Sequence, residues 1–186
     1  MKKGRSVRRG ARVLLVTLLA LVALPVQAAE TRRENFGDWG FICSTPEGQE
    51  DANAKQGESC NLFQTALLNT DESEGPGQRV LLTRVGYLDS SENPVLLVTA
   101  PLGILLPMGI TVEVEGHDAI RIPVQRCDAG GCLAYVVMEQ PFIEAFKKGI
   151  EAKVTLYDAK RRGVAIPLSL KGFTDGMAAL AESRGK

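Results

Sequence analysis

The stretch RCDAGGC, Arg126–Cys132, places a cysteine on either side of Asp128, Ala129, Gly130 and Gly131. Its reading decides the fold, because a zinc clip, a redox pair and a covalent staple each demand a different body around them. A structural zinc site takes four Cys or His ligands, commonly supplied as closely spaced pairs. The chain has four cysteines, Cys43, Cys60, Cys127 and Cys132, and one histidine, His117, with sixteen residues between the first two cysteines. A thioredoxin-like pair is Cys-x-x-Cys at a helix start, where the dipole favours a thiolate. Here four residues separate Cys127 from Cys132, and the flanking runs read as strands. A staple across a hairpin remains, and Gly130-Gly131 supplies the backbone freedom that such a turn needs.

A staple needs an oxidising compartment, and the N-terminus supplies the route. Residues 1–12 carry Lys2, Lys3, Arg5, Arg8, Arg9 and Arg12 and no acid, and Val13–Val26 is apolar. Val26-Gln27-Ala28 then follows, with small residues where a signal peptidase cuts. The expectation is a cleaved leader over 1–28 and one mature domain over 29–186. The apolar run is short for a spanning helix, and Arg8-Arg9 lacks the flanking residues of a twin-arginine signal. Without the leader, 16 basic residues face 22 acidic ones, a net of −6. That balance disfavours nucleic acid as a partner. The remaining length suits a single domain with a sizeable core.

An even cysteine count in an exported chain reads as disulfides, and four cysteines allow three pairings. Cys43 with Cys60 and Cys127 with Cys132 each bracket a turn-rich segment, so these are the expected bonds. On the chain-entropy model the first is worth about 3 kcal/mol and the second about 2. Both weigh against a typical net stability of roughly 5–15 kcal/mol.

Short runs with period-two patterning fill the rest. Val112 and Val114 alternate with Thr111, Glu113 and Glu115; Ile120, Ile122 and Val124 with Arg121, Pro123 and Gln125. Val154 and Leu156 alternate with Lys153, Thr155 and Tyr157; Val164, Ile166, Leu168 and Leu170 with Ala165, Pro167, Ser169 and Lys171. Trp39–Ser44, Cys60–Leu68, Val80–Leu88, Val95–Ala100 and Leu133–Glu139 complete about nine short strands, which read as an all-β sandwich. Pro123 and Pro167 cannot donate to a ladder and mark edge strands or bulges. Two short helices are expected. One follows Pro141, with Lys147-Lys148 in its last turn, Gly149 beyond, and Phe142, Ile143, Phe146 and Ile150 at helical spacing. The other is near Thr174 as N-cap, with Met177 and Leu180 on one face. GITVEVEGHDAIRIPV and GIEAKVTLYDAKRRGVAIPL echo one another, suggesting two similar hairpins.

Pro94–Val112 carries no charge, but Pro101, Gly103, Pro107 and Gly109 punctuate it. We read two buried strands joined by a bend. Within the bend, Leu102, Leu105, Leu106 and Met108 are candidate contacts for a protein partner or a membrane.

Catalytic templates are missing: there is no G-x-S-x-G, H-E-x-x-H or P-loop. Glu115, His117 and Asp118 lie in one hairpin turn, which is either a solvated tip or a surface metal site. Asp158–Gly163 is a basic turn, a plain hairpin tip or a contact for lipid headgroups or an anionic partner. Trp39 and Phe41 read as core anchors. No cofactor is implied.

Several stretches together resemble the invasion-associated locus B family of bacterial exported proteins. They are Gly37-Asp38-Trp39 running to Cys43, Cys60-Asn61-Leu62-Phe63-Gln64, Leu106-Pro107-Met108-Gly109-Ile110, Cys127 with Gly131-Cys132, and Leu170-Lys171-Gly172-Phe173. The resemblance spans nearly all of Phe36–Leu180. It implies an immunoglobulin-like β-sandwich, a periplasmic or outer-membrane-associated place, or secretion, and in some pathogens a part in host-cell invasion. It supplies no catalytic residues. The expected function is that of a non-enzymatic envelope protein acting through contacts with envelope or host-surface components, with peripheral membrane association as one form. The alternatives are a hydrolase or metal-dependent enzyme with a loop-assembled site near His117, and a binder that adds a peptide strand to a sheet edge.

Overall fold

A computed structural model describes residues 32–44, 59–68, 77–88 and 91–184. The leader assigned to 1–28 and most of the polar loops before Ser59 and before Gln78 lie outside the described residues. Two antiparallel sheets face one another as an immunoglobulin-like sandwich. The larger runs β1 (Arg32–Phe36), β2 (Trp39–Ser44), β3 (Ser59–Leu68), β4 (Gln78–Gly86), β5 (Val95–Ala100), β9 (Gly131–Val137) and β8 (Val124–Asp128). The smaller runs β11 (Gly163–Ser169), β10 (Glu151–Tyr157), β6 (Ile110–Val114) and β7 (Ile120–Ile122).

Eleven strands among the described residues replace the expected nine for two reasons. The run over Ala119–Arg126 divides at Pro123: β7 lies at the edge of one sheet and β8 at the edge of the other. A missing N–H is tolerated at such a changeover. Pro167 likewise sits on an edge strand, β11. The other addition, β1, has the sequence RRENF and no apolar alternation. Its pairing comes from the tight turn at Gly37-Asp38, which folds it onto β2.

The period-two pattern predicts the core, except that Val164, expected to face inward with Ile166 and Leu168, is 55 % exposed at the start of β11. Ile110, Val112 and Val114, then Ala152, Val154 and Leu156, then Ile166 and Leu168 are buried between the sheets. Phe41, Leu62, Val85, Leu96, Val98 and Ala134 meet them from the larger sheet. The sequence echo is visible as well. The hairpins β6–β7 and β10–β11 lie side by side, and β6 pairs with β10 so that Glu113 stands opposite Lys153.

Helix α1 (Gln140–Lys148) has Pro141 in its first turn and buries Phe142, Ile143 and Phe146. Ile150 falls beyond the helix and is 87 % exposed, so it is not part of the apolar face. Helix α2 (Phe173–Ser183) starts two residues earlier than expected. Its N-cap is Gly172, and Thr174 instead donates its hydroxyl to the Lys147 carbonyl at 3.3 Å. Trp39, Phe173, Phe146 and Phe142 form an edge-to-face chain with successive centroids 5.3, 5.2 and 4.8 Å apart. It joins both helices to the larger sheet.

One polar node ties the two sheets together. The Gln64 amide treats Ser169 as a neighbouring strand would: Ser169 N–H donates to Gln64 Oε1 at 3.0 Å, and Gln64 Nε2 donates to the Ser169 carbonyl at 3.1 Å. Trp39 Nε1 donates to the same carbonyl at 2.9 Å, and Ser169 Oγ donates to Asp38 Oδ2 at 2.6 Å. Asp38 N–H then donates to the Lys171 carbonyl at 3.1 Å. Backbone approach is close enough that a Cβ on Gly172 would overlap the Phe36 carbonyl, and one on Gly37 would meet the Lys171 carbonyl. Both glycines have positive φ, +56° at Gly37 and +87° at Gly172.

Gly172→Ala should therefore lower stability by about 3 kcal/mol or more, combining left-handed backbone strain with a backbone clash. Gly116→Ala, at φ +80° in open space, should cost only about 1 kcal/mol. Gln64→Ala should cost about 1–2 kcal/mol, because it strands the Ser169 N–H while Trp39 still serves the carbonyl. Urea unfolding midpoints of the three variants measure the ranking.

Candidate contact surface

The bend over 101–109 carries the chain from β5 in one sheet to β6 in the other. Gly103 and Gly109 have φ of +92° and +68°. A Cβ on Gly109 would come within 2.6 Å of the Ile122 carbonyl. The tip is a single 3-10 turn, Leu106–Met108. Leu105 N–H donates to the Tyr157 carbonyl at 2.7 Å, and Met108 N–H to the Leu105 carbonyl at 3.1 Å. The Arg121 guanidinium donates to the Pro107 carbonyl. The bend is thus held by main-chain bonds and by the Arg121 side chain.

The folded bend divides the four sequence candidates. Leu102 is 59 % exposed and Leu106 48 %. Leu105 and Met108 are half-buried. Burying a leucine side chain is worth roughly 1.5–3 kcal/mol. Leu105 and Met108 retain part of that gain inside the fold, while Leu102 and Leu106 keep much of it in reserve.

The basic turn is next to this bend. Tyr157, whose carbonyl holds Leu105, is the last residue of β10. The following turn is organised by the Asp158 carboxylate, which accepts from the N–H groups of Lys160 at 2.8 Å and Arg162 at 2.9 Å, and from Arg162 Nε at 2.7 Å. The backbone bond from Arg162, more than the guanidinium, holds the Asp158 carboxyl below its ordinary value. It stays charged near neutrality and is committed to Arg162. Lys160, Arg161 and Arg121 are exposed and form no ion pair with another described residue. Val164, 55 % exposed, follows the turn on β11.

The His117 turn lies at the other end of β6. Glu115, His117 and Asp118 are exposed there. No three His, Cys, Asp or Glu among the described residues gather as metal ligands. His117 and Asp118 border a groove of about 410 Å³ with Glu139, Val136, Val137 and Phe142, and no hydroxyl or thiol lines it. The groove therefore offers an imidazole and two carboxylates but no hydroxyl or thiol nucleophile.

The outer face of the larger sheet was not singled out by sequence. Phe63, Arg84, Leu97 and Tyr135 stand in register across four neighbouring strands. Tyr135 is 42 % and Val137 45 % exposed. Adjacent apolar residues such as Leu81-Leu82 and Leu96-Leu97 carried the signal, since a strand apolar on both faces reads only as deeply buried.

The disulfides join Cys43 to Cys60 and Cys127 to Cys132, each pair directly opposite on neighbouring strands of the larger sheet with Cα atoms 4.0 Å apart. Neither crosses between the sheets. Cys132 also stands opposite Ala100, the last residue of β5 before the bend.

Comparison with known proteins gives a consistent picture. A profile for "Invasion associated locus B (IalB) protein" matches residues 39–181. The invasion protein B homologue of Brucella abortus (strain 2308) is 29% identical over 161 residues, 86% of this chain and 84% of that protein. Invasion protein B of Bartonella bacilliformis is 24% identical over 136 residues, 73% of this chain and 65% of that one. The crystal structure of invasion associated protein B from Bartonella henselae superposes with a TM-score of 0.66 at 20% identity, covering 83% of this chain and 97% of the other. Every stretch on which the resemblance rested lies within the matched region or at its border, and the chain belongs to the invasion associated locus B family.

Proposed function

We propose that this protein is exported, is stapled by its two disulfides in an oxidising envelope compartment, and works by surface contact and not by catalysis. The observation that carries the proposal is the outward pair Leu102 and Leu106 on a bend fixed by main-chain hydrogen bonds. The basic leader and the bonded cysteines support export. The relatives are named for invasion, and in a host-associated bacterium the same contact serves that end. Elsewhere it serves a general envelope role.

Leu102→Asp with Leu106→Asp should leave the unfolding midpoint almost unchanged, because both side chains already face water. Leu105→Asp should lower stability by about 1–3 kcal/mol, since it puts a carboxylate in a half-buried site. A photo-crosslinking residue at position 106 should form adducts with an envelope component in living cells. The same residue at position 153, on the outer face of the smaller sheet, should not. Equal labelling at the two positions, or none at 106, contradicts the proposal.

A further inference from the structure

We infer that the bend and the basic turn together form a docking edge for an anionic lipid surface. This rests on the contact reading above and names its partner. Two exposed leucines on a nine-residue bend are little apolar area. A stable protein–protein interface buries roughly 1,200–2,000 Å², and among the described residues only Val164, after the basic turn, adds a large exposed apolar side chain to Leu102 and Leu106 on this edge. A small apolar wedge with cations at its rim is instead what the headgroup region of a bilayer accepts, the apolar tip entering the acyl boundary while the charges stay with phosphates.

Charge complementarity supports the same partner. Arg121 is tied to the bend through the Pro107 carbonyl, and Lys160 and Arg161 sit on the turn that Leu105 holds. The carboxylate of that turn, Asp158, is engaged by Arg162. The edge is therefore cationic on a chain whose sum after residue 28 is −6. An acidic body with a basic edge orients toward an anionic plane. The Asp158 bonds and the 3-10 turn order both tips in advance, so little conformational entropy remains to be lost on docking. Since β6 runs from the bend to the 115–118 turn, docking leaves the His117 groove pointing away from the membrane.

The test is co-sedimentation of the disulfide-bonded protein with vesicles. Phosphatidylglycerol mixed equally with phosphatidylcholine should bind it at least about tenfold more than phosphatidylcholine alone. Raising salt to about 0.5 M should remove most of that difference. Leu102→Asp/Leu106→Asp, and separately Lys160→Glu/Arg161→Glu, should each lower binding by roughly tenfold with the unfolding midpoint unchanged. Absent or lipid-independent binding, or variants that bind as the parent does, overturns the inference. So does full competition by millimolar inorganic phosphate, which would indicate a free-anion site. Protein adducts at position 106 without vesicle binding would overturn the lipid partner and keep the contact reading. Failure of both experiments removes both.

Discussion

The backbone of Ser169 lies on an edge strand, and an edge strand has one side of its N–H and C=O groups without a ladder. In this fold those groups are met by the Gln64 amide and the Trp39 indole, both from the opposite sheet. Apolar packing between two sheets is strong but non-directional, and by itself it does not choose a register. The node at Ser169 does choose one, because a shift by one residue would turn Ser169 away and present Leu168 or Leu170 to Gln64. Gly37 and Gly172 allow the two turns to close at this point, and no larger residue fits either place. Three of the five stretches that suggested the family converge here: Gly37-Asp38-Trp39, the segment ending in Gln64, and Leu170–Phe173. Their joint presence reflects one physical constraint.

The same framework sets what the surface presents. Closing the sheets at Ser169 places α2 over β1–β3, and the aromatic chain from Trp39 to Phe142 carries that order to α1. At the far end of β11, the Asp158 turn and the bend are locked through the Tyr157 carbonyl. The Cys127–Cys132 bond pins the hairpin beside Ala100, where the bend departs. The leucine tips are thus held by a rigid support, as a surface acting through contact requires.

Much of this was legible in the sequence, for identifiable reasons. Alternation placed the inward faces of β6 and β10, and of β11 from Ile166 onward, since each of those strands is wet on its other side; Val164, at the start of β11, is exposed. Pro123 and Pro167 announced edges because a missing N–H has few tolerable places. The split at Pro123 was less visible: alternation continues through Ile120, Ile122 and Val124 although the strand changes sheets. β1 could not be read at all, since RRENF shows no apolar alternation and offers only Phe36, packed edge-to-face on Phe41, to the core. At the candidate surface, composition located the bend but not its orientation. Leu102, Leu105, Leu106 and Met108 are alike in sequence, and only the folded bend separates two exposed tips from two half-buried neighbours. The link between the bend and the basic turn was equally hidden, since some fifty residues intervene.

The central claim is that the Ser169 node locks the sheets against one another. Native-state hydrogen exchange tests it most directly, because the Ser169 amide has only a side-chain acceptor, Gln64 Oε1, across the sandwich. The account predicts that the amides of Ser169 and Asp38 exchange only through global unfolding, with the same free energy as core amides of β5. Exchange of either through local fraying of β11, well ahead of global unfolding, would contradict it.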